Sequence, residues 1–153
     1  MPQSLAQIYL HLIWSTKHRT PWLKDRALRQ RLYAYMQGIC VNLDCPSLQI
    51  GGIEDHVHLL LRFSREMTIA DLVRDLKRAS SKWVKENATQ LTDFHWQSGY
   101  AVFSISPGHV VGLSHYVATQ EEHHRDKGES YQDELRRLCR IYGIEIDERY
   151  VWD

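Results

Sequence analysis

The chain has 153 residues, 43% of them hydrophobic and 25% charged, with a formal net charge of zero. That is the length and balance of one soluble globular domain, with no bulk positive charge to announce a nucleic-acid binder, so any anionic partner must be held by a local basic face. Three cysteines, Cys40, Cys45 and Cys139, form no CxxC pair, which argues against a disulfide framework or a zinc ribbon. No stretch approaches the roughly 18 apolar residues of a membrane span, and the N-terminus lacks a signal-peptide pattern, so a cytoplasmic protein with no membrane partner is expected.

In chain order, Ile8 to Trp14 reads as a strand with Ile8, Leu10, Leu12 and Trp14 on one face. A basic loop, Lys17 to Thr20, ends at Pro21. From Lys24 to Asn42 the apolar residues Leu28, Leu32, Met36 and Ile39 follow helical spacing. Leu48 to Ile53 is a short strand, and Glu54-Asp55 turns into a second one, His56-Val57-His58-Leu59-Leu60-Leu61-Arg62-Phe63. Thr68 and Asp71 cap a helix whose buried stripe is Ile69, Leu72, Val73, Leu76, Trp83 and Val84. Tyr100 to Ser106 alternates as a fourth strand. Ser106-Pro107 then opens a helix running to about His124, and Ser130 with Asp133 opens a last helix that Gly143 stops. The order predicts an α+β, ferredoxin-like (RRM-like) fold: an antiparallel four- to five-stranded sheet with helices on one face, in a single domain over 1–153.

Residues i and i+2 of a strand share a face, so His56 and His58 project together while Val57, Leu59, Leu61 and Phe63 face the core. Two neutral imidazoles fixed by a sheet are half of a divalent-metal site. On the helix after the fourth strand, Tyr116 and Gln120 are i and i+4 and lie on one stripe. Should that helix cross the sheet near the histidines, a His-His-Gln site with an adjacent phenol results, a set suited to phosphodiester cleavage. Mg²⁺ or Mn²⁺ suits the donors, with Mn²⁺ favoured by imidazole. By spacing alone each element also has an ordinary structural explanation.

Asp55-His56-Val57-His58-Leu59-Leu60-Leu61 resembles the His-hydrophobic-His (HUH) motif of the single-tyrosine transposases of small bacterial insertion sequences, which include the REP-associated tyrosine transposases. The resemblance continues through Ile8 to Lys17, Leu76 to Ser81, Trp96 to Tyr100, Tyr116 to His124 and Asp147 to Trp152. It implies that His56, His58 and Gln120 ligate the metal and that Tyr116 is the nucleophile. It also implies cleavage and rejoining of single-stranded DNA through a 5′-phosphotyrosine, at hairpin-flanked ends, by a homodimer associated with the nucleoid. A catalytically silent hairpin-binding module and a metal-dependent nuclease using water are the alternatives.

On the second helix, Arg74, Lys77, Arg78, Ser81, Lys82 and Lys85 line the face opposite the apolar stripe. With the resemblance, Lys77, Arg78 and Lys82 are expected to contact phosphates, and Lys17, Arg19 and Arg62 to lie nearer the site. Trp22 and Trp96 are candidates for stacking on unpaired bases, whereas Trp83 has the phase of core. His11 is expected as a hydrogen-bonded sheet residue. His123 and His124 either favour the helix dipole or contact the phosphate, and Glu121 and Glu122 are either exposed or near the metal. Asp147 to Trp152 packs over the site or over a partner subunit.

Overall fold

The computed structural model describes residues 2–153. Four strands, β1 (Tyr9–Ser15), β2 (Ser47–Ile53), β3 (His56–Arg62) and β4 (Ala101–Ile105), form one antiparallel sheet in the order β2-β3-β1-β4. Helices α1 (Arg26–Asn42) and α2 (Ile69–Asn87) make the two crossovers. This is the ferredoxin-like arrangement expected from the order of elements, with strand ends within a residue or two of the predicted ones.

Local chemistry explains the helix boundaries. Asp25 caps α1 by accepting from the amides of Ala27 and Leu28, and Thr68 caps α2 through Asp71. Leu10, Leu12 and Trp14 of β1 and Val57, Leu59 and Leu61 of β3 then pack with Leu28, Leu32 and Met36 of α1 and Leu72, Val73 and Leu76 of α2. Each strand contributes alternate residues to this face, as the pattern requires.

The opposite face carries a second layer that the strand pattern does not show: α3 (Val110–Ala118), α4 (Gln120–Lys127) and α5 (Tyr131–Ile141). Tyr131, Leu135, Leu138 and Cys139 of α5 cluster there with Ile13 and Phe103. Gly51 of β2 lets α3 lie down on the sheet, because a Cβ at this position would sit 2.0 Å from the carbonyl oxygen of Val117.

Two details depart from expectation. The helix predicted from Ser106 begins as a single 3-10 turn, Pro107–His109, and the Ser106 hydroxyl bonds the His109 ring rather than a backbone amide. It then breaks at Thr119, whose hydroxyl donates to the His115 carbonyl at 2.8 Å. Such back-bonding to the preceding turn bends a helix. No helix among the described residues is long and apolar enough to cross a membrane.

Candidate active site

β3 is covered on both faces, so His56 and His58 are fully buried side by side. The Asp55 carboxylate accepts from His56 Nδ1 at 2.7 Å, which leaves Nε2 pointing into the polar layer. His58 Nδ1 lies 2.8 Å from His11 Nε2, the neighbouring side chain on β1. His11 is thus the hydrogen-bonded sheet residue that its place on the strand predicts. Burial, reinforced by the nearby His58, lowers its imidazole to about 3, so it stays neutral.

α3 and α4 bring the other predicted residues to these imidazoles. The Tyr116 ring stands edge-on to His58, with centroids 5.8 Å apart. Gln120 is 1% exposed, and its Oε1 lies 3.2 Å from His56 Nε2. Its Nε2 donates to the Tyr116 carbonyl, which fixes the amide with its oxygen inward. His56, His58, Tyr116 and Gln120 therefore meet within one chain. The bend at Thr119 does not separate Tyr116 from Gln120.

The structure adds Glu134 and Arg137, which sequence reasoning missed, and gives His124 a place among the donors. His124 donates from Nδ1 to the Glu129 carbonyl and presents Nε2 to Gln120 Oε1 at 2.9 Å. Glu134 of α5 is wholly buried at the centre of the group. Its Oε1 lies 3.1 Å from His56 Nε2, 3.1 Å from His58 Nε2 and 3.3 Å from His124 Nε2. Its Oε2 accepts the Tyr116 hydroxyl. Arg137, one turn further along α5, donates to the same phenol oxygen at 2.9 Å and is held by Glu129. One signal for Glu134 was present: it falls in the apolar stripe Tyr131, Leu135, Leu138, where a carboxylate is out of place.

Burial alone would pull the His56 imidazole down, but hydrogen bonds to Asp55 and Glu134 hold it at about 9. Burial pushes His58 below its usual value. Burial, then the Glu134 carboxylate, raises the Tyr116 phenol. Burial also works against the Glu134 carboxylate, yet His58, His124 and His56 together keep it ionised well below the usual range. The result is a dry anion ringed by imidazoles, with a phenol on its outer oxygen. Beside Tyr116 a groove of about 470 Å³, lined in part by Gly112, His115, Thr119 and His123, opens to solvent.

The donor set fits a divalent ion. His56 and His124 present Nε2 and Glu134 a carboxylate oxygen within 4.8 Å of one another. Gln120 Oε1 lies beside both imidazoles, His58 Nε2 reaches the same Glu134 oxygen, and Nδ1 of His56 and His124 is tethered elsewhere. This is how metal-ligating histidines are commonly oriented.

Other expectations resolve differently. Lys17 is exposed in the turn following β1, next to Thr16, whose amide donates to the Asp55 carbonyl. Arg19 donates to the Trp152 carbonyl and lies 5.9 Å from that ring's centroid, so it secures the C-terminal segment. Arg62 ends β3, six residues and about 20 Å from His56, and does not reach the site. Arg78 and Lys82 are exposed on α2, across the sheet from the histidines, and Lys77 donates to the carbonyls of Gln97, Ser98 and Gly99. That geometry makes Lys77 a brace for the turn into β4.

Trp96 is a core residue rather than a stacking platform: it is 8% exposed, edge-on to Trp14 and Phe94, and donates to Ser80. Trp22 is half-buried against the same core. Glu121 joins Arg26 and Arg29 of α1, while Glu122 is exposed. His123 bonds Glu129 and stands against the Tyr116 ring. The C-terminal segment packs on its own chain, with Trp152 against Arg136 and Tyr131 and its carbonyls on Gln97.

Sheet order, paired strand histidines and a tyrosine helix laid across them define a single-tyrosine HUH transposase. The comparisons agree. The profile of the IS200-like transposases matches residues 4–120, and the chain belongs to that family. It is 26% identical over 121 residues to the ISDra2 transposase TnpA of Deinococcus radiodurans, covering 76% of this chain and 86% of that protein. Among solved structures, one described as a transposase of Deinococcus radiodurans R1 shares 23% identity at a TM-score of 0.64, covering 78% of this chain and 95% of that one. A REP-associated tyrosine transposase bound to a REP hairpin shares the fold at 12% identity and a TM-score of 0.58, covering 81% of this chain and 73% of that one.

Proposed function

We propose that this transposase cleaves and rejoins single-stranded DNA with Tyr116 as the nucleophile, at a divalent ion held by His56, His58 and Gln120. The observation that carries this reading is the convergence of those four side chains on one buried polar layer, with the phenol at the edge of an open groove. A bound Mg²⁺ or Mn²⁺ would polarise the scissile phosphate and offset charge on the leaving oxygen.

The remaining steps belong to the chain. The phenol oxygen attacks phosphorus and the bond from phosphorus to the 3′-oxygen breaks, leaving a 5′-phosphotyrosine. Glu134 Oε2 accepts the phenol's hydrogen bond and aligns it, and the phenol proton leaves to solvent water as the oxygen–phosphorus bond forms. The leaving 3′-oxygen takes a proton from water. Arg137, 2.9 Å from the attacking oxygen, meets the negative charge that the phosphate brings there. Because the phosphotyrosine conserves the ester, a 3′-hydroxyl can reverse the reaction and rejoin the strand.

Hairpin-bearing single strands are the proposed substrate, in line with the REP hairpin in the relative's structure. Lys17 is proposed to meet strand phosphate near the site, and Arg78 and Lys82 to meet duplex on the far face, with affinity falling steeply as salt rises. Assembly as a homodimer is part of the proposal, checked by sedimentation. Within one chain the tyrosine stands against the histidines.

The test is incubation with hairpin-bearing single strands and Mn²⁺, followed by denaturing electrophoresis. A protein–DNA adduct is expected from the wild type, with a loss of about a thousandfold or more in Tyr116→Phe and hairpin binding retained. Hydrolysis that persists in Tyr116→Phe would point to water as the nucleophile. Hairpin binding with no cleavage by the wild type would point to a silent module.

A further inference from the structure

We propose that Glu134 of α5 is a fourth protein ligand of the catalytic ion, so that the centre is a histidine, glutamine and glutamate site completed from outside the segment that defines the family. The inference rests on the reading that His56, His58 and Gln120 hold an ion. It extends that reading to a helix beyond the matched residues 4–120.

Spacing carries the argument. Adjacent ligands of an octahedral ion with bonds of about 2.1 Å stand about 3.0 Å apart. Around Glu134 Oε1 the distances are 3.1 Å to His56 Nε2, 3.1 Å to His58 Nε2 and 3.3 Å to His124 Nε2. Gln120 Oε1 is 3.2 Å from His56 Nε2 and 2.9 Å from His124 Nε2. His56, His124, Gln120 and Glu134 thus have neighbour separations of one coordination sphere, while His58 joins them through Glu134 Oε1. His56, His124 and Glu134 alone make a group with every pair of donor atoms within 4.8 Å.

Donor chemistry agrees. With Nδ1 of His56 held by Asp55 and Nδ1 of His124 by a backbone carbonyl, Nε2 is the nitrogen that each ring turns toward Glu134. A bound divalent ion would take the place of the proton that His56 Nε2 shares with Glu134. His58 can adapt through His11, donating from Nδ1 when Nε2 binds an ion. A wholly buried carboxylate is costly unless matched by positive charge, and a divalent ion supplies that charge.

The second oxygen gives the ligand a further task. Oε2 holds the Tyr116 hydroxyl while Oε1 faces the ligand group, so one carboxylate sets the nucleophile's position relative to the ion. Glu134 is itself fixed from both sides. Tyr131, one turn earlier on α5, is buried against the His56 ring, and the Ser130 cap starts the helix.

The experiment is Mn²⁺ titration of the full chain without DNA, read by the electron paramagnetic resonance of free Mn²⁺, for wild type, His56→Ala and Glu134→Gln. A loss of affinity of tenfold or more in Glu134→Gln, with the circular dichroism of the folded protein, is expected. A smaller loss overturns the proposal. So does tighter binding, which would mean that the carboxylate occupies the ion's place. If His56→Ala abolishes binding while Glu134→Gln leaves it intact, the transposase centre stands and Glu134 is not part of it. If the wild type binds no Mn²⁺, the reading beneath both has failed. Should Glu134→Gln not fold, a wild-type crystal soaked in Mn²⁺ decides. An ion about 2.2 Å from Glu134 Oε1 supports the proposal, and an ion bound by the histidines with the carboxylate more than about 3 Å away overturns it.

Discussion

On one face of the sheet, Leu12, Trp14, Val57, Leu59 and Leu61 bury apolar surface against α1 and α2. On the other, the intervening residues of the same strands are His11, Ile13, His56 and His58, and α3 to α5 cover them with Gln120, Glu134 and Tyr131. The two faces are equally dry, yet they do opposite work. The apolar face gains stability from transfer out of water, which needs no particular partner. The polar face has to satisfy every donor and acceptor that it buries, so each side chain there is held by another. A single strand, β3, serves both faces because its side chains alternate.

If that division is right, substitutions on the two faces should separate stability from metal binding. Leu59→Ala, in the apolar core, is expected to cost about 2–5 kcal/mol in denaturant unfolding while leaving Mn²⁺ affinity of the folded protein unchanged. His58→Ala, the next side chain along β3, is expected to weaken Mn²⁺ binding about a hundredfold or more by calorimetry, and to abolish the rise in melting temperature that Mn²⁺ gives the wild type. Similar effects of both on both readouts would break the comparison.

Gly51→Ala sharpens it at the point where the tyrosine helix touches the sheet. The added methyl meets the Val117 carbonyl, so α3 must lift. A cost of about 1–3 kcal/mol is expected, together with slower adduct formation. The smallest effect is one of pH. Although burial lowers it, the His56 imidazole is held at about 9 by Asp55 and Glu134, above its ordinary 6.5. Its contribution to the metal-free fold is therefore complete below pH 6.5 and lost as pH rises through 9. Scanning fluorimetry should show the melting temperature of the metal-free protein falling by a few degrees across that window. With Mn²⁺ the trend should reverse, since the ion displaces that proton.

The apolar face was legible because periodicity is a direct record of burial: the strands, α1, α2 and the caps at Thr68 and Ser130 stand where the pattern puts them. Part of the polar face was legible too, since the spacing of His56 and His58 and of Tyr116 and Gln120 sets which side chains project together. The rest was hidden for a physical reason. Glu134, His124 and Arg137 reach Tyr116 and the histidines only through tertiary packing of α4 and α5, and spacing along one element says nothing of that. Lys77 and Trp96 misled for the same reason. The amphipathic phase of α2 turns Lys77 away from the apolar stripe, and only the fold shows three carbonyls waiting for it.

The central claim is that the polar face turns Tyr116 into a nucleophile, and mapping the covalent product tests it most directly. The wild-type protein is reacted with a hairpin-bearing single strand and Mn²⁺, trimmed with nuclease and protease, and sequenced by mass spectrometry. The account predicts a 5′-phosphonucleotide on Tyr116. A nucleotide on another tyrosine, or cleaved DNA with Tyr116 unmodified at every time point, would contradict it.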